Sequence, residues 1–330
     1  MKKNLRTKSD DPALTTRKAF VWEDEKAPPL ADIVKGADAR RRFFRYWIHD
    51  TLRDLPKLLS YNLLRLLPAG LASELGAFHY GAIRHLFPAR NQRIAENLAR
   101  IRPDLDPAST ARLHWRSKGR VMAEFSVLAR IDASDSVTLE GEENLREAYA
   151  QGPVVVLGLH LGNWELISVA HRRLKIPITT FYMPPESRVE HRIARHVRNR
   201  LDLGLFPPGV KGVRPAMKRL MAHDGLVAIF GDEGFDDGIM APFFGRPTHL
   251  SGNLAIAVRL ARHAGARIVP FYVVRKGGSR FICRWLKPID LPETDDPGAA
   301  LADDVERLNG VIEPIVSRHI NQWYFLDHTL

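Results

Sequence analysis

One cysteine, Cys283, stands in this chain of 330 residues. That excludes a disulfide within the chain and any metal site built from several thiolates. Long apolar runs are equally scarce. The longest stretch free of Asp, Glu, Lys and Arg runs from Ala148 to Trp164. It contains Gln151, Gly152, Pro153, His160 and Asn163, so it is a poor membrane span. The residues after Met1-Lys2-Lys3 are polar and charged, without the apolar segment of a signal peptide. There is no Gly-x-Ser-x-Gly elbow, no Walker loop and no complete dinucleotide fingerprint. Serine-nucleophile hydrolysis, nucleotide hydrolysis and hydride transfer therefore lose their usual support. Acidic residues are outnumbered, 38 against 49 Lys and Arg, which gives a formal charge of +11 and a pI of about 9.9. Such a balance points to an anionic partner. Without a zinc-finger or RNP signature or a dense basic helix, a membrane or anionic-lipid partner fits better than nucleic acid.

The order of segments suggests an organisation. Residues 1–38 read as a basic N-terminal extension, disordered or loosely docked, and residues 39–330 as a single domain. Within that domain, residues 39–88 read as membrane-interacting helices. Arg41, Arg42, Phe43, Phe44 and Trp47 form the start of a basic, aromatic amphipathic helix, with the aromatics on one face, an interfacial pattern. The Leu-rich stretch from Leu52 to Phe87, broken by Pro56 and Pro68, reads as two or three apolar helices lying on a bilayer. Residues 150–330 alternate strand and helix, which predicts an α/β core around a mixed central sheet flanked by helices. Strands are expected at Val154–Leu159, Ile178–Tyr182, Leu226–Phe230, Arg267–Val274 and Arg280–Leu286. Helices are expected at Asn163–Lys175, Arg188–Leu201, Arg214–Ala222, Gly252–His263 and Ala299–Ile320.

The most informative stretch is His160-Leu161-Gly162-Asn163-Trp164-Glu165, between the first of those strands and its helix. A strand-to-helix junction leaves backbone N–H groups unpaired, a setting suited to a developing oxyanion. In one continuous helix, residues five apart could not meet. With His160 in the loop and Asn163 as N-cap, Glu165 falls in the first turn, where the helix dipole favours a carboxylate. Glu165 is then expected to accept from one imidazole nitrogen and leave the other as a general base. A surface histidine beside an ordinary N-terminal glutamate is the competing reading. Asp232 follows the strand Leu226–Phe230 and is a candidate to meet His160 or to hold an arginine. With Glu233, Asp236 and Asp237 it could equally bind a divalent cation or form a solvated turn. Arg198 and Arg200 end a helix rich in arginine, suited to phosphate or oxyanion. Lys211 lies in a Gly-flanked loop that could contact phosphate. Phe243 and Phe244 could wall an apolar pocket or simply pack. A His–carboxylate pair without a nucleophile suits direct acyl transfer to a hydroxyl.

These blocks, in this order, resemble the late acyltransferases of lipid A biosynthesis, the lauroyl and myristoyl transferases of Gram-negative bacteria. The likeness is carried by Arg93-x-Ala95-x-Asn97-Leu98, by His160 to Glu165, by Tyr182-Met183-Pro184, by Gly231-Asp232 with Pro242-Phe243-Phe244-Gly245, and by Gln322-Trp323-Tyr324. It implies a glycerolipid-acyltransferase-like fold and an enzyme on the cytoplasmic face of the inner membrane. The donor would be an acyl carrier protein thioester. The acceptor would be a hydroxyl of a Kdo-bearing lipid A precursor. The resemblance gives His160 and Glu165 as the catalytic pair, Asp232 as a second acid and Arg200, or next Arg198, as the arginine. Asn163 and Trp164 fall in the same block and are expected to contact substrate. No metal or organic cofactor is implied. Met183 replaces an arginine common in the family, and Asp232-Glu233-Gly234 departs from the usual block. A different lipid acceptor stays open, such as a lysophospholipid, an aminolipid or a phosphoinositol mannoside. So does a peripheral membrane protein of this fold without catalysis.

Overall fold

The computed structural model describes residues 25–330 apart from 236, 237 and 249, and gives no account of the Val210 and Phe235 side chains. Most of the expected N-terminal extension thus lies outside the described residues. Its last part is docked: Glu25 pairs with Arg45 at 2.5 Å, and the Pro28 carbonyl accepts from the Trp47 indole.

Nine strands follow in chain order: β1 (Val137–Glu140), β2 (Val154–Gly158), β3 (Ile178–Phe181), β4 (Leu203–Phe206), β5 (Leu226–Phe230), β6 (Gly234–Phe235), β7 (Gly238–Ile239), β8 (Arg267–Gly277) and β9 (Arg280–Trp285). Seven form one sheet in the order β1-β9-β8-β2-β5-β3-β4, while β6 and β7 make a small hairpin. Every pairing in the large sheet is parallel except β8 with β9. The fold is thus α/β with a mixed, mostly parallel sheet, as expected. β2 and β5 lie at its centre and are buried along almost their whole length, so they read as continuous apolar runs. Within the large sheet the two strands not expected, β1 and β4, are the four-residue edges, where burial is partial and the pattern weak; the two-residue strands β6 and β7 are not expected either.

The helices are α1 (Ala37–Phe44), α2 (Asp50–Leu64), α3 (Ala69–Ile83), α4 (Pro88–Ile101), α5 (Pro107–Glu124), α6 (Leu128–Asp132), α7 (Glu142–Gln151), α8 (Leu166–Leu174), α9 (Arg188–Arg200), α10 (Val210–Ala222), α11 (Asn253–Ala264) and α12 (Leu301–Arg318). Alternation along the strands sorts them between two cores. Val155 and Leu157 of β2 join the core that holds α10, α11 and α12. Val154 and Val156 join the one that holds α7, α8 and α9. This is the two-sided cover a parallel sheet requires.

α2 and the start of α3 attach to the second side, whereas Ile94 and Leu98 of α4 and Ala111 and Trp115 of α5 join the first. The expected common aromatic face fails in part: Phe43 is buried, while Phe44, Trp47 and Ile48 are exposed. Residues 45–49 form a π-helical turn, so the 3.6-residue spacing does not hold across them. α3 crosses α5 at Gly76 and Gly119, so closely that a Cβ on Gly119 would lie 2.1 Å from the Gly76 carbonyl oxygen. Among the described residues no helix is long and apolar enough to cross a membrane.

Candidate active site

The register of the two central strands builds the site. β2 and β5 run parallel with Gly158 opposite Phe230. Two residues beyond each strand stand His160 and Asp232, which the same register brings together. Asp232 Oδ1 lies 2.9 Å from His160 Nδ1, and Oδ2 accepts the His160 backbone N–H at 2.8 Å. The Trp323 indole donates to Oδ2 at 2.9 Å. An ionised carboxylate only accepts, so Nδ1 carries the hydrogen and Nε2 keeps its lone pair. Nε2 has no hydrogen-bond partner among the described residues. Asp232 is fully buried, whereas the His160 side chain is 20% exposed, so the imidazole alone reaches outward. Its ring is held by Trp164, Phe230 and Phe325, with centroids 5.1, 4.4 and 5.0 Å away.

The expected His160–Glu165 hydrogen bond is therefore not formed; Asp232 holds the imidazole. Glu165 has another partner: Arg198 donates to it through Nε at 3.0 Å and Nη2 at 2.5 Å. Burial works against the charge on Arg198, but Glu165 beside it more than compensates and raises the guanidinium pKa. Arg198 also lies over the Tyr182 ring, 4.8 Å from its centroid. α8 begins only at Leu166, and Asn163 does not cap it. The Asn163 side chain turns inward and donates to Glu124 at 2.9 Å. Glu124, itself buried, also accepts from Ser73 at 2.6 Å and from Arg275 at 2.5 and 2.7 Å. These bonds fix the floor of the turn.

The C-terminal segment straps the site from the other side. The Tyr324 backbone N–H donates to the His160 carbonyl, and Gly162 donates to that of Gln322. Gly162 sits at φ +57°, and a Cβ there would meet the Val273 carbonyl oxygen at 2.6 Å. Only glycine suits that position. Asp327 anchors the strap through Lys118 at 2.8 and 2.9 Å and Arg90 at 3.1 Å. Burial alone would push the Asp327 carboxyl up, but the His114 ring and the Lys118 ammonium hold it well below the usual carboxylate range.

A cavity of about 1680 Å³ opens at His160, Trp164, Glu165 and Arg198. It runs on between α10 and α11, walled by Met217, Ile256 and Leu260. Ordinary small-molecule pockets hold about 300–1,000 Å³, so this one can take a long apolar chain together with polar groups at its mouth. Of the remaining sequence candidates, Arg200 faces a separate depression with Asp132, Arg172 and Arg173. It lies two residues, about 200°, round the helix from Arg198. Lys211 is exposed at the start of α10 and does not line the cavity. Phe243 is fully buried and packs on Trp323, and Phe244 lies beside it, so both pack rather than wall the cavity. Asp236 and Asp237 lie outside the described residues. Asp232 is saturated by its three donors, and Glu233 accepts the Asn253 backbone N–H at 2.7 Å. Sequence reasoning gave no role to Trp323 or Glu124, and only the position of Trp323 in a family block marked it.

No curated protein matches the chain. Residues 38–330 match the family described as bacterial lipid A biosynthesis acyltransferase, which spans both strand-end groups, the arginine helix and the strap. The resemblance expected from the motifs is thereby met, and the chain belongs to the bacterial lipid A biosynthesis acyltransferases.

Proposed function

We propose that the protein transfers a fatty acyl chain from an acyl carrier protein thioester to a hydroxyl of a Kdo-bearing lipid A precursor, with His160 as general base. The observation that carries this reading is the free Nε2 of an imidazole anchored on a buried carboxylate, at the mouth of a long apolar cavity. Nε2 takes the proton of the acceptor hydroxyl as its oxygen attacks the thioester carbonyl. The tetrahedral oxyanion then collapses, the carbon–sulfur bond breaks, and the imidazolium returns the proton to the leaving thiolate. Asp232 fixes the tautomer and stabilises the imidazolium; general base catalysis of this kind contributes about 10²–10⁴-fold. Arg198, held by Glu165 and with Nη1 unpaired among the described residues, is the cation for the oxyanion or an acceptor phosphate.

The reading places the protein on the cytoplasmic face of the inner membrane. α2 supports this because its amphipathicity is inverted. Its one buried residue is Asp54, which accepts from Ser187 at 2.7 Å, and Lys57 pairs with Glu190 at 2.9 Å. Five of its six leucines are exposed instead, Leu52 and Leu63 each 63%. Phe44, Trp47, Leu66 and Phe78 are exposed as well, as are Arg41 and Arg42. Mass spectrometry of lipid A from cells with and without the protein tests the reading. Loss of one ester-linked chain is expected, restored by wild type but not by His160→Ala. An unchanged lipid A with one acyl group missing from another lipid class would favour that lipid as the acceptor.

A further inference from the structure

The cavity has a cationic edge that the chemistry at His160 does not use. Arg214 and Lys218 stand four residues apart on α10, and Arg259 and His263 four apart on α11. All four line the cavity and are exposed. Four-residue spacing puts each pair on one helix face, so the two pairs border the gap between the helices. Arg214, Lys218 and Arg259 have no side-chain hydrogen bond or ion pair among the described residues. Neighbouring cations are matched: Arg219 with Asp224 at 3.6 Å and Arg262 with Asp304 at 2.6 Å. The acids lining the cavity, Glu165 and Glu233, are engaged with Arg198 and the Asn253 backbone N–H. A row of unmatched like charges is costly to hold and attracts an arriving anion.

The surroundings say which anion. Large exposed apolar side chains crowd residues 30–87, whereas α10, α11 and α12 expose only Met221 among the described residues. α2, through Tyr61 and Leu64, also joins the core on the opposite side of the sheet from α10 and α11. The cationic edge is therefore open to solvent, away from the exposed leucines of α2. We propose that Arg214, Lys218 and Arg259 form the docking surface for the acidic carrier protein that delivers the acyl chain, with the carrier's thioester arm reaching through the cavity so that the carbonyl lies at His160. The inference rests on the carrier-thioester reading above.

The test uses the full-length protein with the triple variant Arg214→Ala/Lys218→Ala/Arg259→Ala and the single exposed change Lys218→Glu, which keeps the test alive should the triple variant misfold. Binding of fluorescently labelled holo acyl carrier protein is measured by anisotropy. Transfer to the lipid acceptor is measured from the carrier thioester and from a neutral N-acetylcysteamine thioester of the same chain. The triple variant is expected to bind the carrier on the order of 10- to 100-fold more weakly at low salt, with KM for the carrier thioester rising in step and use of the neutral thioester within about 3-fold. Lys218→Glu is expected to weaken binding in the same direction, and added salt to weaken binding to wild type. Unchanged carrier affinity overturns the proposal. So does an equal loss with both donors, which would make the edge part of the cavity wall, or a raised KM for the lipid acceptor alone, which would assign it to a lipid phosphate. A wild type that binds the carrier through this edge yet acylates no lipid overturns the acyl-transfer reading and supports the docking surface.

Discussion

Replacing Asp232 by Asn decides between the partner that sequence proximity suggests for His160 and the one the fold supplies. Three donors converge on this carboxylate: the His160 backbone N–H, the Nδ1–H and the Trp323 indole, at 2.8, 2.9 and 2.9 Å. Asparagine offers one oxygen and one NH₂. With NH₂ at the Oδ2 place it would face two N–H groups, backbone and indole, that cannot turn away. With NH₂ at the Oδ1 place it meets only the imidazole, which answers by moving its hydrogen to Nε2. The second arrangement costs less, so the variant folds with its base masked. A wrong tautomer in the analogous Asp→Asn change of serine-protease triads costs about 10⁴ in kcat. Here the expected fall is about 10³–10⁴-fold, about 4–5.5 kcal/mol, with KM for donor and acceptor within about 3-fold. Glu165→Gln keeps an acceptor for Arg198 and should fall only about 10- to 100-fold. Mass-spectrometric initial rates from the carrier thioester measure both. The reverse ranking, with Asp232→Asn within about 10-fold of wild type and Glu165→Gln down about 10³-fold, would refute the geometric argument.

Three further outcomes follow from buried groups and one close crossing. His171 is fully buried among Phe271 and Trp285 with neither ring nitrogen bonded, and burial pushes its pKa from 6.5 to about 3. The unfolded chain takes up that proton first, so below pH 6.5 His171 costs about 1.4 kcal/mol per pH unit down to its folded pKa. His171→Leu should gain about 2 kcal/mol over wild type between pH 7 and pH 5 in urea unfolding, and a pH-independent difference would contradict the assignment. Asp327→Asn leaves the buried Lys118 without its charge partner and should cost about 3–5 kcal/mol, read as a lowered melting temperature. Because the Asp327 carboxyl is depressed, its stabilisation is present above about pH 4 and lost as pH falls toward the folded value. A wild-type melting temperature for Asp327→Asn would show that the ion pair does not hold the strap. Gly119→Ala places a methyl against the Gly76 carbonyl oxygen and should cost about 2–3 kcal/mol by prising α3 from α5, and unchanged thermal unfolding would sink that reading.

What the sequence could and could not reveal has a physical pattern. β2 and β5 were legible because strands buried on both faces are continuous apolar runs. The edge strands β1 and β4, which pair with β9 and β3, were not. His160 and Asp232 were legible as strand-end groups, yet their pairing depends on a register between segments 72 residues apart, which no local pattern records. Glu165 took the role by closeness in sequence. Arg198 and Arg200 differ by helical phase, and the inward phase belongs with Val197, the one buried residue of α9. The apolar N-terminal helices were readable from composition, but the inversion of α2 depends on the Asp54–Ser187 contact across 133 residues.

The strap also sets an order of events during synthesis. Trp323, which completes the Asp232 carboxylate shell, lies 91 positions after it. A ribosome adding about 5–20 residues per second needs on the order of ten seconds to cover that distance. Throughout that interval, α1 to α3, with their outward leucines, have already emerged. On the proposed reading, those leucines can meet a bilayer before His160 is oriented as the base, which must wait for Trp323.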